Sequence, residues 1–176
     1  IVEAGFSMYP ENFIVSAATT GSNLDASAEY WYKVYAVWTN ANGEVERSTA
    51  AAPILHTTGS STTYRKPTLQ IQTIQHTNKD IHFEVYRTLG GPGSNSPFYK
   101  VSSDDPTATG ANQYRANDKT TDTVTFQDDM TDDIAQTKEV DYQNSGELEN
   151  VAPPGASVIT EGKDRIWLAG LEDTSQ

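Results

Sequence analysis

The stretch that decides the fold runs from Tyr30 to Ser48, YWYKVYAVWTNANGEVERS. In an extended chain, Tyr30, Tyr32, Val34, Ala36 and Trp38 fall on one face, and Trp31, Lys33, Tyr35, Val37 and Thr39 on the other. Period two in aromatic and β-branched residues reads as a strand. Both faces are largely apolar, so the strand is expected at the centre of its sheet, with Lys33 reaching outward on its aliphatic stem. Asn42-Gly43 supplies the positive φ of a tight connection, and EVERSTAAAPI (residues 44–54) is expected to return as the partner strand.

The same grammar recurs along the chain. NFIVSAAT (12–19) reads as a first strand, and TLQIQTI (68–74) alternates Leu69 and Ile71 against Gln70 and Gln72. IHFEVYRT (81–88) sets Ile81, Phe83 and Val85 inward and His82 and Glu84 outward. PFYKVSS (97–103) follows the loop LGGPGSNS, and TVTFQDD (123–129) is the last strong strand of the series. Only DDIAQTKEV (132–140) has room for a short helical turn. Short strands joined by turn-rich segments, without βαβ alternation, predict an all-β antiparallel sandwich or barrel. The polar loop 102–122 is long enough to be either functional or mobile.

Residues 1–11 read as a lead-in and 12–147 as the β domain. Residues 148–176 read as a Pro-rich linker followed by the first strand of another domain. The paired prolines in ENVAPPGAS remove donors and fix φ, so that segment is expected to be extended. DRIWLAGL (164–171) then reads as a lone apolar strand without a partner in this chain, to be covered by a following domain or a neighbouring subunit. Ile1 stands where an initiator Met would, so the sequence reads as a fragment or a processed product.

Composition narrows the function. Acids outnumber bases 24 to 12, and the bases are scattered singly, which disfavours specific binding to a phosphate backbone. With no cysteine, disulfides and thiolate metal sites are excluded. No apolar run approaches the roughly 20 residues of a membrane span.

The order GFSMYPE, YKVYAVWTNANGEVERS, FEVYRT, PFYKV, VTFQDDMTDD, LENVAPP and KDRIWLAGLED resembles large structural proteins of tailed bacteriophages. The stretch YWYKVYAVWTNANGEVERS (30–48) resembles the end of a fibronectin type III module, an immunoglobulin-like β-sandwich: aromatic strand, Asn-Gly turn, Ser-bearing return. The resemblance implies a sandwich that precedes, or is inserted into, a propeller-like domain of a tail or head-to-tail connector protein. It implies a non-enzymatic module located in the virion, whose partners are other virion subunits, in homo-oligomeric copies. It carries over no catalytic residue and no cofactor. An acidic wall would then repel passing DNA rather than trap it. The competing reading is a carbohydrate-binding adhesion module of a cell-surface or secreted protein.

Candidate site residues each have a plainer explanation. Asp128, Asp129, Asp132 and Asp133 offer oxygen ligands for calcium, but they match no EF-hand order, and Asp is common in turns and helix caps. His56, His76 and His82 lack partners at metal-site spacing, apart from Asp80 and Glu84 beside His82, which exposed strand polars explain more cheaply. LGGPGSNS lacks the Lys and the following helix of a phosphate loop. No G-x-S-x-G elbow occurs. Trp31 and Tyr35 share a face and, with Tyr64, Tyr86 and Tyr99, offer a sugar platform. Burial or a subunit interface is the favoured reading for them. Trp31, Tyr35, Ile166, Trp167 and Leu168 are the expected contact residues.

Overall fold

A computed structural model describes residues 10, 12–40, 43–75, 77–91, 96–141, 156–162 and 165–171. Asn42, His76, Pro92, Gly93, Pro153, Pro154, Gly155 and the lead-in apart from Pro10 lie outside these. The strands are β1 (Phe13–Thr19), β2 (Glu29–Thr39), β3 (Val45–Arg47), β4 (Ile54–Thr57), β5 (Lys66–Gln72), β6 (Ile81–Arg87), β7 (Tyr99–Lys100), β8 (Arg115–Ala116) and β9 (Thr123–Gln127). After one helical turn, α1 (Asp132–Ala135), come β10 (Ala156–Gly162) and β11 (Arg165–Leu171). Every pairing between these strands is antiparallel. With α1 and a 3-10 turn at Thr62–Tyr64 as the only helical elements among the described residues, the chain is all-β.

β1, β5 and β9 form one sheet, and β3, β2, β6 and β7 form another, with β4 on β2 and β8 on β6. The inward positions of both sheets belong to one core cluster. Phe13, Leu69, Ile71, Val124 and Phe126 come from the first sheet, and Tyr30, Tyr32, Val34, Ala36, Trp38, Ile81, Phe83 and Val85 from the second. Burying each of these large side chains contributes roughly 1.5–3 kcal/mol before chain entropy is charged against it.

β2 is the central strand the alternation predicts, since β6 pairs along one edge and β3 and β4 share the other. The return is not one strand, however. β3 covers Val37–Thr39, and β4 covers Glu29–Tyr32. Between them Ser48 takes over the pairing: its N–H donates to the Ala36 carbonyl (2.8 Å) and its hydroxyl accepts from the Ala36 N–H (2.9 Å). Pro53, which has no donor, falls inside this break. At the tip, Gly43 has φ of +84° and donates to the Asn40 carbonyl, so glycine meets a conformational demand there.

Two sequence expectations need correction. Glu84 does not face solvent: it is buried, because Lys100 of β7 and Arg47 of β3 close over the outer side of β6. The apolar strand at 165–171 is not lone. It pairs with β10 in register from Ala156↔Leu171 to Gly162↔Arg165, forming a two-stranded sheet of its own. Val158, Ile159 and Thr160 make β10 a good strand former. The neighbouring prolines and glycine hide that signal by making the whole segment read as linker.

Candidate functional site

The acidic run 128–133 lies against the end of β6. Position 87 continues the inward series 81, 83, 85, so an arginine enters the core where an apolar residue would be expected. Arg87 and Asp128 are both fully buried, with Nε 2.7 Å from Asp128 Oδ2. Arg87 Nη1 donates to Asp132 Oδ1 (2.6 Å), Nη2 donates to the Met130 carbonyl (2.6 Å), and the guanidinium lies 4.7 Å from the Tyr30 ring centroid. Asp128 also accepts from the Tyr32 hydroxyl (2.8 Å), from Asn112 Nδ2 (2.7 Å) and from the Met130 N–H (3.1 Å).

Burial opposes the guanidinium charge, yet Asp128 and the other partners outweigh it and raise the Arg87 pKa. Burial pushes the Tyr30 hydroxyl up to about 12, and burial together with Asp128 pushes Tyr32 well above its ordinary value. Asp132 Oδ2 accepts from the Gly90 N–H (2.6 Å). A Cβ at Gly90 would come within 2.8 Å of the Tyr30 hydroxyl, which explains a glycine there.

The four acids therefore have separate uses. Asp128 and Asp132 hold Arg87, Asp129 lies 3.7 Å from Lys66, and Asp133 is exposed in the first turn of α1. Among the described residues, no three of these carboxylates converge at ligand distance from one another.

The outer face of the β2–β6 pair carries a second cluster, of Tyr35, Val37, Tyr86 and Phe98, with half-buried Trp31 packed against it. Tyr35 is fully buried and donates to Asp141 Oδ2 (2.7 Å), so the aromatic pair Trp31 and Tyr35 forms no open sugar platform. Lys33 does not snorkel into water. It pairs with Asp141 (3.2 Å) over the ring of Phe98 (4.1 Å to the centroid). The expected contact residues Ile166, Trp167 and Leu168 lie on β11, where only the strand backbone is described.

Beside this cluster lies a network of charged side chains, with Glu84 and Lys100 themselves buried. Lys100 Nζ sits 2.5 Å from Glu84 Oε1, 2.5 Å from Asp104 Oδ1 and 3.7 Å from Glu139 Oε2. Arg47 Nη2 takes the other Glu84 oxygen at 2.7 Å. His82 stacks on Tyr114 at 4.9 Å, and its imidazole nitrogen, a Glu84 oxygen and an Asp104 oxygen all lie within 4.8 Å of one another. A cleft of about 240 Å³ opens alongside, lined by Lys100, Asp104, Asn112, Met130, Lys138 and Glu139, with Ser102 and Ser103.

The long polar loop is stitched down by two asparagines. Asn112 sits at φ +56° and uses both ends of its amide: Nδ2 donates to Asp128 and to the Val101 carbonyl, and Oδ1 accepts from the Asp129 N–H (2.9 Å). Asn117 pairs with Ile74 as a strand residue would, accepting its N–H (2.9 Å) and donating to its carbonyl (2.8 Å). Neither role has a sequence signal beyond the tolerance of Asn for positive φ. Nor does sequence spacing bring Asp104 to His82.

His56 on β4 is held below the ordinary histidine value, chiefly by burial. A depressed folded-state pKa means that the unfolded chain takes the proton first, so stability is lost as pH falls below about 6.5. The urea midpoint is expected to drop between pH 7 and pH 5.5, and to drop less in a His56→Gln variant. An equal or larger drop in the variant would contradict this assignment.

Comparison of the chain with family models, with curated proteins and with solved structures finds no match. No helix among the described residues is long and apolar enough to cross a membrane.

Proposed function

We propose that this chain is a non-enzymatic structural module of a tailed-phage particle, a fibronectin-like sandwich joined to the start of a further domain. The observation that carries the reading is the separate β10–β11 hairpin. It pairs with neither of the other sheets among the described residues, and Val158 stands 56% exposed on it. A two-stranded hairpin is marginal in water by itself, so it needs a surface to lie on. A neighbouring subunit or a following domain supplies one, as assembly proteins require. Leu55, opposite Trp31 on the β4 edge, and Ile14 on β1 are further exposed apolar positions for contacts.

The polar pins support this role. Arg87 locks the 128–132 segment to β6, and Asn112 ties the long loop to that segment and to the Val101 carbonyl. Loops fixed in this way present surfaces of constant shape. Light scattering across micromolar concentrations tests the reading. The chain is expected to run larger than its 19.2 kDa, and Val158→Asp is expected to lower that mass. A strict monomer that binds in a glycan screen would instead favour the adhesion module.

A further inference from the structure

We propose that His82, Glu84 and Asp104 form a binding site for a zinc-class divalent metal, whose seat in the unloaded chain is filled by the Lys100 ammonium. The three side chains come from separate decisions of the fold. His82 and Glu84 are alternate residues on the outer face of β6, and Asp104 is delivered by the turn that follows β7. Their ligand atoms lie within 4.8 Å of one another. Metal–ligand bonds of about 2.0–2.2 Å in tetrahedral geometry place ligand atoms roughly 3.3 Å apart, so the set must contract by about an ångström or more. Asp104 is exposed on its turn and is the member best able to move.

Three features make the point a cation seat rather than a chance grouping. Lys100 Nζ is held between Glu84 and Asp104, which marks where the surroundings stabilise positive charge. Arg47 occupies Glu84 Oε2 and leaves Oε1 as the free ligand once Lys100 withdraws. The Tyr114 ring, stacked on His82, fixes the imidazole plane. Lys100 also has somewhere to go. Glu139 already lies 3.7 Å from its nitrogen, on the wall of the adjoining cleft, so a rotation toward that wall keeps the ammonium paired. The same cleft admits a hydrated ion.

The donor set selects the metal. An imidazole with two carboxylates suits zinc and its neighbours, whereas calcium takes six to eight oxygens and magnesium a near-octahedral oxygen shell. Three protein ligands leave a fourth position for water.

The test is calorimetric titration of the untagged chain with zinc chloride, and separately with magnesium chloride. Circular dichroism checks that each variant is folded. One zinc per chain is expected, at least tenfold weaker in His82→Ala. Lys100→Met removes the internal competitor and is expected to bind zinc at least tenfold more tightly than wild type. If Lys100→Met does not fold, Lys100→Gln takes its place. Absence of saturable zinc binding in both wild type and the Lys100 variant would overturn the proposal. So would binding that survives His82→Ala, binding no tighter without Lys100, or equal saturation by magnesium.

Discussion

Asp128→Ala is expected to destabilise the chain by about 3–5 kcal/mol, the cost of leaving a buried charge without its partner. Arg87 is fully enclosed, and without Asp128 its Nε loses the carboxylate 2.7 Å away while Tyr32 and Asn112 each lose an acceptor. Asp132 and the Met130 carbonyl remain on the guanidinium, which is why the figure does not rise further. Arg87→Met is expected to cost a similar amount, because it strands Asp128 in the core. The double variant Arg87→Met, Asp128→Leu removes both charges and is expected to recover much of the loss. Urea midpoints, with constant slope, measure all three. A loss under 1 kcal/mol for Asp128→Ala would show that water reaches the pair and that the loop is not pinned there.

The second large effect is expected at Asn112. Asn112→Ala removes a hydrogen bond to a buried carboxylate and two to backbone groups, and it places a Cβ residue with no local amide at φ +56°. At about 1 kcal/mol for each neutral bond and about 1.5–3 for the charged one, the loss is about 3.5–5 kcal/mol. Asn112→Asp discriminates further. It keeps an acceptor for the Asp129 N–H but turns a donor toward Asp128 and the Val101 carbonyl into an acceptor. It is therefore expected to be no better than alanine, despite being nearly isosteric. A near-neutral Asn112→Asp would mean that the amide does not bridge the loop to Asp128.

Much of this was legible in the sequence, for reasons that differ from place to place. β2, β5, β6 and β9 were readable because each buries one face on a shared core, which imposes period two on Tyr30–Trp38, Leu69–Ile71, Ile81–Val85 and Val124–Phe126. The helical turn at 132–135 falls inside the DDIAQTKEV segment that has room for one, and its cap, the Thr131 hydroxyl accepting from the Ile134 N–H, is seen only in the fold. What period two does not encode is the second layer of burial. Lys33, Glu84 and Lys100 look like solvent-facing strand residues, yet each finds an opposite charge on another segment, Lys33 with Asp141 and Glu84 with Lys100. Arg87 was hidden for the same reason. A charged residue at an inward position is legible only if its partner is known, and Asp128 lies 41 residues on. The hairpin β10–β11 was half legible: the apolar strand was seen, but its partner was masked by adjacent turn residues.

The acidic run shows how one composition admits unrelated chemistry. Four aspartates in six positions look like a calcium loop, and in the fold they answer an arginine, a lysine and a helix start. His82 runs the other way. It had two flanking acids and a plain reading as a strand polar, and the fold adds Asp104 from beyond β7.

The role proposed for the chain is that of a built-in part of a phage particle. The most direct measurement is quantitative mass spectrometry of gradient-purified virus-sized particles from cells that carry the gene. Peptides of this chain are expected at a fixed stoichiometry to the other particle proteins, unchanged through repeated banding and high-salt washing. Recovery of the chain only in the cell-surface or secreted fraction, with none in the particle band, would contradict it.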